Sequence, residues 1–289
     1  MYGKELRRSL RLHAAQILVN WLPKAPEPVG RELCAGIGRL AHGVVRRDRE
    51  LTRGNLRRVH PEWEEALVRA ESKRVFAELG RNIYDFLRYP GLAEPARDAL
   101  VTFNNESFLR DPLEKREGAI LVTGHWGCWE LLAAALARRG YPFKAVARPL
   151  REPRLNRALT THRTRMGFQT VSDESPREAL RHLRGGGFLG VLMDQRLRQG
   201  GVTVEFLGQR TRMTDAPARL SMKTGAPLIP FGIHRASGNR HRVEVLPAVR
   251  PRPGASARDT TQELAHALSR LIALAPEQWM WLHPRWEDA

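Results

Sequence analysis

Short apolar runs alternate with longer helical stretches from about residue 118 onward, and this alternation restricts the fold more than any other feature of the sequence. The run GAILVTGH is rich in β-branched residues and bounded by glycines, as buried strands are, and WELLAAALARRG after it has helical spacing. Strand character returns in FKAVARP, FQTVSD, GGGFLGVLMD, VTVEFLG, PLIPFGIHR and RHRVEVLP. Strands that alternate with helices predict an α/β fold, with a central, mostly parallel or mixed sheet flanked by helices.

The chain before residue 98 is helical by the same criteria. Apolar residues recur at spacings of three and four in VGRELCAGIGRLAHGVV and in EEALVRAESKRVFAELGRNIYDFLRY, until Pro90 and Gly91 end the pattern. We therefore predict a helical portion over residues 1–97, packed on an α/β core over residues 98–289, in one continuous domain.

The first residues bear on membrane contact. Residues 6–22 place apolar side chains and Trp21 at near-helical spacing, with Arg7, Arg8 and Arg11 between them. This pattern is typical of a helix that lies in a lipid headgroup layer, and also of an ordinary helix packed on the domain. The run AAQILVNWLP is shorter than the roughly 20 residues that a membrane span needs, so no transmembrane helix is expected.

The chain is strongly basic, with 48 Lys and Arg against 31 Asp and Glu and a formal net charge of +17. This charge favours nucleic acid, an anionic lipid surface or a phosphorylated substrate as partner, but it also fits an arginine-rich composition without a binding role. No helix-turn-helix, zinc or RNA-recognition signature is visible, so nucleic acid is not the expected partner. The only cysteines, Cys34 and Cys128, exclude a disulfide framework and a Cys-based zinc site, and no metal site is expected.

The junction between GAILVTGH and the following helix holds His125 and Glu130. Residues five apart on one continuous helix point in directions that differ by roughly 140°, so these side chains meet only if His125 lies in the turn and Glu130 in the first helical turn. Gly124 and Gly127 give the backbone freedom for such a turn. A neutral histidine held by a carboxylate at its second ring nitrogen can deprotonate a substrate hydroxyl. The alternative is a polar turn in which Glu130 only complements the helix dipole.

Further candidates lie at the ends of other predicted elements. Asp194 and Gln195 follow a strand, where they could order the site, bind the acceptor or simply form a turn. Thr214 precedes a helical stretch and fits an N-cap as well as a substrate contact.

Basic residues are concentrated in residues 138–165, which contain nine Lys or Arg residues and only one acidic residue. Such a cluster suits contact with phosphate or with a carrier protein, because arginine binds these groups bidentately; a solvated surface is the alternative. The candidates for substrate binding are Arg148, Arg151 and Arg154.

Several segments together resemble a known family. TGHWGCWELLAAAL is similar to the His-four-residues-acidic motif of the glycerolipid acyltransferase superfamily. Further matches follow in order, namely ARP at 147–149, DQ at 194–195, FLG at 206–208, TDAPARLSMKTGAPLIP at 214–230 and QWMWLHPRW at 278–286. The set resembles the lipid A biosynthesis lauroyl/myristoyl acyltransferase family, including its relatives that acylate phosphatidylinositol mannosides.

The resemblance implies a glycerolipid-acyltransferase-like fold, with His125 as base and Glu130 as its partner. It implies an acyl thioester of acyl carrier protein or coenzyme A as donor, with no other cofactor, and a hydroxyl of an anionic membrane lipid or glycolipid as acceptor. It also implies a peripheral protein that contacts the membrane surface at the cytoplasmic face of the inner membrane. Trp126, Trp129 and Phe206 are candidates for lining an acyl channel, with core packing as the alternative for Phe206.

The mechanism expected from this resemblance is direct transfer, with the oxyanion stabilised by backbone N–H groups of the turn or by Arg148. Two other functions stay open at this point. One is a hydrolase that uses the same dyad to activate water, and the other is a basic protein that binds nucleic acid or anionic surfaces without catalysis.

Overall fold

The computed structural model of the chain describes residues 21–197, 199–237 and 240–286. Residues 6–20, which form most of the predicted amphipathic N-terminal helix, lie outside the described residues. Among the helices in these ranges, none is both long and apolar enough to cross a membrane.

Helices make up the chain from Glu27 to Leu100. They are α1 (Glu27–Val44), α2 (Arg46–Val59), α3 (Glu65–Arg88) and the short α4 (Glu94–Leu100), with 3-10 turns at Leu22–Lys24 and Tyr89–Gly91. α1 packs closely along α3, because a Cβ at Gly38 would lie 2.0 Å from the Phe76 carbonyl oxygen and a Cβ at Gly80 would lie 2.1 Å from the Cys34 carbonyl oxygen. One face of α1 is therefore fixed against α3.

The rest of the described chain alternates strands with helices. The strands are β1 (Val101–Asn104), β2 (Ala119–Thr123), β3 (Phe143–Ala147), β4 (Gln169–Ser172), β5 (Phe188–Leu192), β6 (Val202–Phe206), β7 (Gln209–Met213), β8 (Leu228–Arg235) and β9 (His241–Val245). The helices are α5 (Ser107–Glu114), α6 (Trp129–Arg138), α7 (Pro153–Arg165), α8 (Pro176–Arg184), α9 (Ala216–Thr224) and α10 (Ala257–Ile272), followed by a 3-10 turn at Pro276–Gln278.

Seven of the described strands form one sheet in the order β1-β9-β8-β2-β5-β3-β4, and β6 and β7 form a separate antiparallel hairpin. Strand pairs in the large sheet are parallel, except that β8 and β9 are antiparallel. The predicted α/β fold, with a mostly parallel mixed sheet, flanking helices and an N-terminal helical region, is confirmed.

β2 lies at the centre of this sheet and is buried along its whole length. Ile120 and Val122 belong to one hydrophobic core, and Ala119 and Leu121 belong to a second one. Because helices cover both faces of the sheet, the strand reads as a continuous apolar run rather than as an alternating one. This burial fixes the position of the turn that follows β2.

Two elements were not expected from the sequence. β7 pairs with β6 through a turn at Leu207 and Gly208, which have φ values of 51° and 71°. Leucine rarely adopts a positive φ, so a leucine at the first position of this turn does not indicate a hairpin turn in the sequence. The helix α5 contains Pro112, which is usually read as a helix breaker.

A buried ionic cluster ties the helical region to the sheet. Asp85 of α3 accepts hydrogen bonds from Arg31 of α1 at 3.0 Å, from His241 of β9 at 3.0 Å, and from Arg235 of β8. Burial alone would raise the pKa of Asp85, but the hydrogen bond from His241 and the charges of the two arginines hold that pKa well below its ordinary value. The carboxylate is therefore ionised at neutral pH and joins α1, α3 and the sheet.

We expect Asp85→Ala to lower the free energy of unfolding by about 3–5 kcal/mol, because it removes the buried carboxylate that Arg31, Arg235 and His241 share. Because the folded-state pKa is depressed, this loss is present above the unfolded-state pKa of about 3.9 and shrinks as the pH falls below it. Urea unfolding followed by circular dichroism measures it. Asp98→Ala is the control, because it removes only the exposed pair with Arg138 and should change stability little. Similar stability of both variants would contradict a structural role for the cluster.

Candidate active site

Two neighbouring strands place His125 and Asp194 side by side. β2 and β5 pair in parallel with Thr123 opposite Leu192, and each site residue lies two positions beyond that pair. The carboxyl ends of parallel strands meet at one edge of a sheet, where functional residues of α/β proteins collect. His125 lies in the turn before α6, as the glycine-rich junction predicts.

The His125 ring is held through Nδ1. This nitrogen lies 2.7 Å from Asp194 Oδ1, and the backbone N–H of His125 donates to Asp194 Oδ2 at 2.8 Å. An ionised carboxylate only accepts hydrogen bonds, so Nδ1 carries the proton and Nε2 of the neutral ring keeps its lone pair. The His125 side chain is 16% exposed and that of Asp194 is 0% exposed, so the base is accessible while its partner is not.

Asp194 also receives donors from the C-terminal tail. Trp279 Nε1 donates to Oδ2 at 2.9 Å, and Arg285 lies 3.3 Å from Oδ2 and donates to the Asp194 carbonyl oxygen. Burial alone would raise the pKa of Asp194, but the charge of Arg285 and the contacts with His125 hold that pKa far below its ordinary value. The carboxylate is therefore ionised at neutral pH, which fixes the tautomer of His125.

The same tail anchors the turn that carries His125. The Met280 N–H donates to the His125 carbonyl at 2.9 Å, and the Gly127 N–H donates to the Gln278 carbonyl at 3.0 Å. Gly127 has a φ of 58°, and a Cβ on it would lie 2.0 Å from the Ile233 carbonyl oxygen. A glycine is required there, because the turn packs directly against the backbone of β8.

A second histidine borders the site. The rings of His283 and His125 are 6.0 Å apart between centroids, and the His283 carbonyl accepts a hydrogen bond from Asn55 of α2 at 2.9 Å. Burial lowers the pKa of His283, and the nearby charge of Arg285 lowers it further. His283 is therefore a neutral polar group beside the base at neutral pH.

Glu130 has a different partner from the predicted one. It lies in the first turn of α6, as expected, but its two carboxylate oxygens accept from Arg163 of α7 at 2.9 and 2.6 Å. Asp194 occupies the position at His125 Nδ1 that was predicted for Glu130. The physical reason is that adjacent parallel strands bring Asp194 opposite His125, whereas Glu130 reaches the end of α7 instead. The structure thus replaces the predicted His–Glu contact by a His–Asp contact.

The arginines predicted to bind phosphate lie on the surface. Arg148 has an 82% exposed side chain and pairs with Asp173 at 2.8 Å, and Arg151 and Arg154 are exposed before and at the start of α7. Within α7, Arg154, Arg157 and Arg165 are exposed, whereas Arg163 is half-buried in its pair with Glu130. Contact of these arginines with phosphate or a carrier protein stays a prediction.

Gln195 and Trp129 lie next to His125. Gln195 Nε2 is 3.5 Å from His125 Nε2, and the ring centroids of Trp129 and His125 are 5.1 Å apart. Trp129 also lines a small, largely apolar cavity, whose other walls are Val75, Leu79, Asn82, Gln278, Trp279, Met280 and Leu282. His125 is not itself a wall of this cavity, but Trp129 contacts both.

Three other predicted site residues make contacts of a structural kind. Trp126 is buried and donates from Nε1 to a backbone carbonyl at 2.8 Å, and buried Phe206 packs edge to face against Trp279 at 5.6 Å. The Thr214 hydroxyl accepts from the Ala216 N–H at 3.3 Å at the start of α9. The contact of Phe206 matches its packing alternative, and Trp126 is likewise packed in the core. Thr214 lies one residue before the N-cap, Asp215, so its hydroxyl contact is part of the turn that precedes α9.

The sequence did not assign Trp279, His283 and Arg285 to the site. They lie within QWMWLHPRW, whose match to the family order was the available signal. No spacing within the chain indicates that this segment folds back on the ends of β2 and β5.

A histidine whose Nδ1 is held by a buried carboxylate, at the strand ends of an α/β sheet, can act as a general base toward a hydroxyl. Comparison with known families is more specific. The chain belongs to the bacterial lipid A biosynthesis acyltransferase family, whose profile matches residues 5–288.

Named relatives fall into two groups. The chain is 31% identical over 179 residues to the phosphatidylinositol mannoside acyltransferase of Mycolicibacterium smegmatis, covering 60% of this chain and 58% of the relative. It is 32% identical over 174 residues to that of Mycobacterium tuberculosis H37Rv, covering 58% and 54%. It is 25% identical over 277 residues to the lipid A biosynthesis lauroyltransferase of Escherichia coli K12, covering 93% and 89%. The chain thus spans somewhat more than half the length of the mycobacterial relatives.

Asp194→Asn should move the His125 proton from Nδ1 to Nε2. Oδ2 receives N–H donors from His125 and Trp279 and lies 3.3 Å from the Arg285 guanidinium, so the amide oxygen must take that place and the NH₂ group must face Nδ1. Nitrogen-15 NMR of the histidine rings at neutral pH detects this change. Glu130→Gln is the control and should leave the tautomer of His125 unchanged. An unchanged tautomer in Asp194→Asn would contradict the assigned hydrogen bonds.

Proposed function

We propose that this chain transfers a fatty acyl group from an acyl thioester, of acyl carrier protein or coenzyme A, to a hydroxyl of a membrane glycolipid. The observation that carries the proposal is the pairing of His125 with buried Asp194, which leaves the accessible Nε2 as a general base. Family membership and the names of the relatives support acyl transfer to a lipid of the lipid A precursor or mannoside type. The proposed place of action is the cytoplasmic face of the inner membrane.

The proton follows one route through His125. Nε2 removes the proton from the acceptor hydroxyl, and the oxygen attacks the thioester carbonyl carbon. Asp194 stabilises the imidazolium that forms, because its charge lies at Nδ1. Collapse of the tetrahedral intermediate breaks the carbon–sulfur bond, and the leaving thiolate takes the proton from Nε2. The products are an ester and a free thiol, so no protein nucleophile is needed.

Gln195 is the proposed donor to the oxyanion. Three backbone N–H groups of the turn already have acceptors, since His125 donates to Asp194, Trp126 to Gly124 and Gly127 to Gln278. The other expected donor, Arg148 after β3, is exposed to solvent and pairs with Asp173. The Gln195 amide lies 3.5 Å from His125 Nε2, where the attacked carbonyl must also lie.

The surroundings of the base suggest where the substrate parts lie. Trp129, Met280 and Leu282 line a small cavity near the base, and we assign their apolar side chains to contact with the part of the acyl chain next to the thioester. On the other side, the Glu130–Arg163 pair holds the end of α7, which carries exposed arginines suited to an anionic donor or acceptor. Glu130 is therefore proposed as a positioning residue rather than as the partner of His125.

His125→Ala should lower the rate of thiol release by about 10²–10⁴-fold, because it removes the general base. The assay supplies acyl-carrier-protein and acyl-coenzyme A thioesters with bacterial membrane lipids, and follows free thiol and, by mass spectrometry, acylated lipid. Lipid-dependent release identifies the donor and the acceptor. Release of free fatty acid without an acylated lipid would instead indicate a hydrolase.

Glu130 and Arg163 provide the matched comparison in the same assay. If Glu130 acts through Arg163, then Glu130→Gln and Arg163→Gln should lower activity to a similar extent, and the double variant should be no worse than either. Additive losses would return Glu130 to a separate role at the reacting atoms.

Gln195→Ala should lower kcat by about 10²-fold with a much smaller change in KM, because the lost hydrogen bond is made mainly to the transition state. Gln195→Glu, which places a negative charge at the same position, should be at least as impaired. A change confined to KM would assign Gln195 to substrate binding instead.

A further inference from the structure

One face of α1 carries a row of exposed apolar side chains. They recur at spacings of four and three, which places them on the same side of the helix. This apolar stripe consists of Val29, Leu33, Ile37, Leu40 and Val44, whose exposed fractions are 59, 52, 41, 68 and 74%. Its length along the helix is about 22 Å. Isolated exposed apolar residues are common, but a continuous row of this length marks a contact surface.

The opposite face of α1 is fixed, so the stripe cannot turn inward. A Cβ on Gly30 would lie 2.1 Å from the ring of Tyr84, and one on Gly38 would lie 2.0 Å from the Phe76 carbonyl oxygen. Arg31 adds a buried ion pair with Asp85 at 3.0 Å. These contacts with α3 set the rotation of α1 about its axis, which leaves the stripe facing outward.

Charges at the two ends of the stripe are positive. Exposed Lys24 precedes α1, with Nζ 5.1 Å from the centroid of the exposed Trp21 ring, and exposed Arg46 and Arg47 follow its last turn. The acid beside the stripe, Glu32, is neutralised by Arg81 at 2.9 Å and by a second arginine. The surface therefore combines an apolar centre with basic ends, in a chain of net charge +17.

We infer that α1 docks through the apolar stripe onto an anionic lipid surface and lies in the headgroup layer. Lipid acyl chains accept the apolar side chains, and lipid phosphates pair with the basic ends. A second copy of the chain would cover the stripe less well, because helix pairing in either direction would bring positively charged ends together.

This docking would place the candidate active site close to its acceptor, and in that respect it rests on the proposed function. α3 packs against α1 on one side and contributes Val75, Leu79 and Asn82 to the cavity beside His125 on the other. Packed helices lie about 8–10 Å apart, so a single helix separates the lipid-facing helix from that cavity. Because α1 is fixed against α3, docking of α1 would hold His125 at a constant distance from the lipid headgroups.

Vesicle sedimentation with the full chain tests the inference. The stripe variant Leu33→Gln/Ile37→Gln/Leu40→Gln should bind vesicles of phosphatidylglycerol and phosphatidylethanolamine at least tenfold less than the wild type. The control variant Leu67→Gln/Met222→Gln/Leu274→Gln removes equally exposed apolar side chains elsewhere and should bind like the wild type. Arg46→Gln/Arg47→Gln should weaken binding to these vesicles, and neutral phosphatidylcholine vesicles should bind the wild type poorly. Thermal melting by circular dichroism checks that each variant folds.

Two results would overturn the inference. One is undiminished vesicle binding by a folded stripe variant. The other is light scattering that shows a wild-type dimer and a monomeric stripe variant with equal vesicle binding, which would make the stripe an interface between copies.

Activity separates this inference from the proposed function. The stripe variant should transfer acyl groups like the wild type when donor and acceptor are dispersed in detergent, and should lose activity when the acceptor is in vesicles. Stripe-dependent vesicle binding without acyl transfer under any condition would leave the docking surface in place and remove the proposed function.

Discussion

The candidate active site depends on one buried carboxylate. Asp194 has no exposed side-chain surface, and its two oxygens receive Nδ1 and the backbone N–H of His125, Nε1 of Trp279 and the guanidinium of Arg285. A buried ion is costly unless it is paired and its remaining lone pairs are used, and here both conditions are met. The turn after β2, the end of β5 and the C-terminal tail are therefore held by a single group. Because an ionised carboxylate only accepts hydrogen bonds, the proton of His125 lies on Nδ1. The lone pair of Nε2 then faces Gln195.

A second buried carboxylate has the same role at a larger scale. Asp85 joins α1, α3 and the last two strands through Arg31, Arg235 and His241. Each carboxylate resides where two parts of the chain that are distant in sequence must meet. Hydrophobic packing sets their approximate arrangement, and the charged hydrogen bonds select one orientation. The helical region is thus a fixed part of the structure that contains the site.

The layers of the molecule follow an order that suits work on a lipid. α1 presents apolar and basic side chains outward, α3 lies beneath it, and the cavity beside His125 lies beneath α3. The arginine-rich α7 borders the site from another direction, tied to it by Glu130 and Arg163. Under the proposed function, these three regions would contact the membrane surface, the acyl chain and an anionic group of the donor or acceptor.

The sequence by itself determined the α/β class, the order of the main strands and helices, and the place of His125 in a glycine-containing turn. These follow from local patterns, because burial on two faces and backbone freedom at glycine act within a few residues. The order of the motifs also indicated the family whose profile matches residues 5–288. The partner of His125 was decided only by the tertiary structure. Glu130, five residues away, fitted the local geometry, but Asp194 is closer in space because β2 and β5 are adjacent, and strand order is not encoded in any local pattern. The same reason explains why Trp279, His283 and Arg285 could not be assigned, since their contacts with the site exist only after the C-terminal tail folds back over the strand ends.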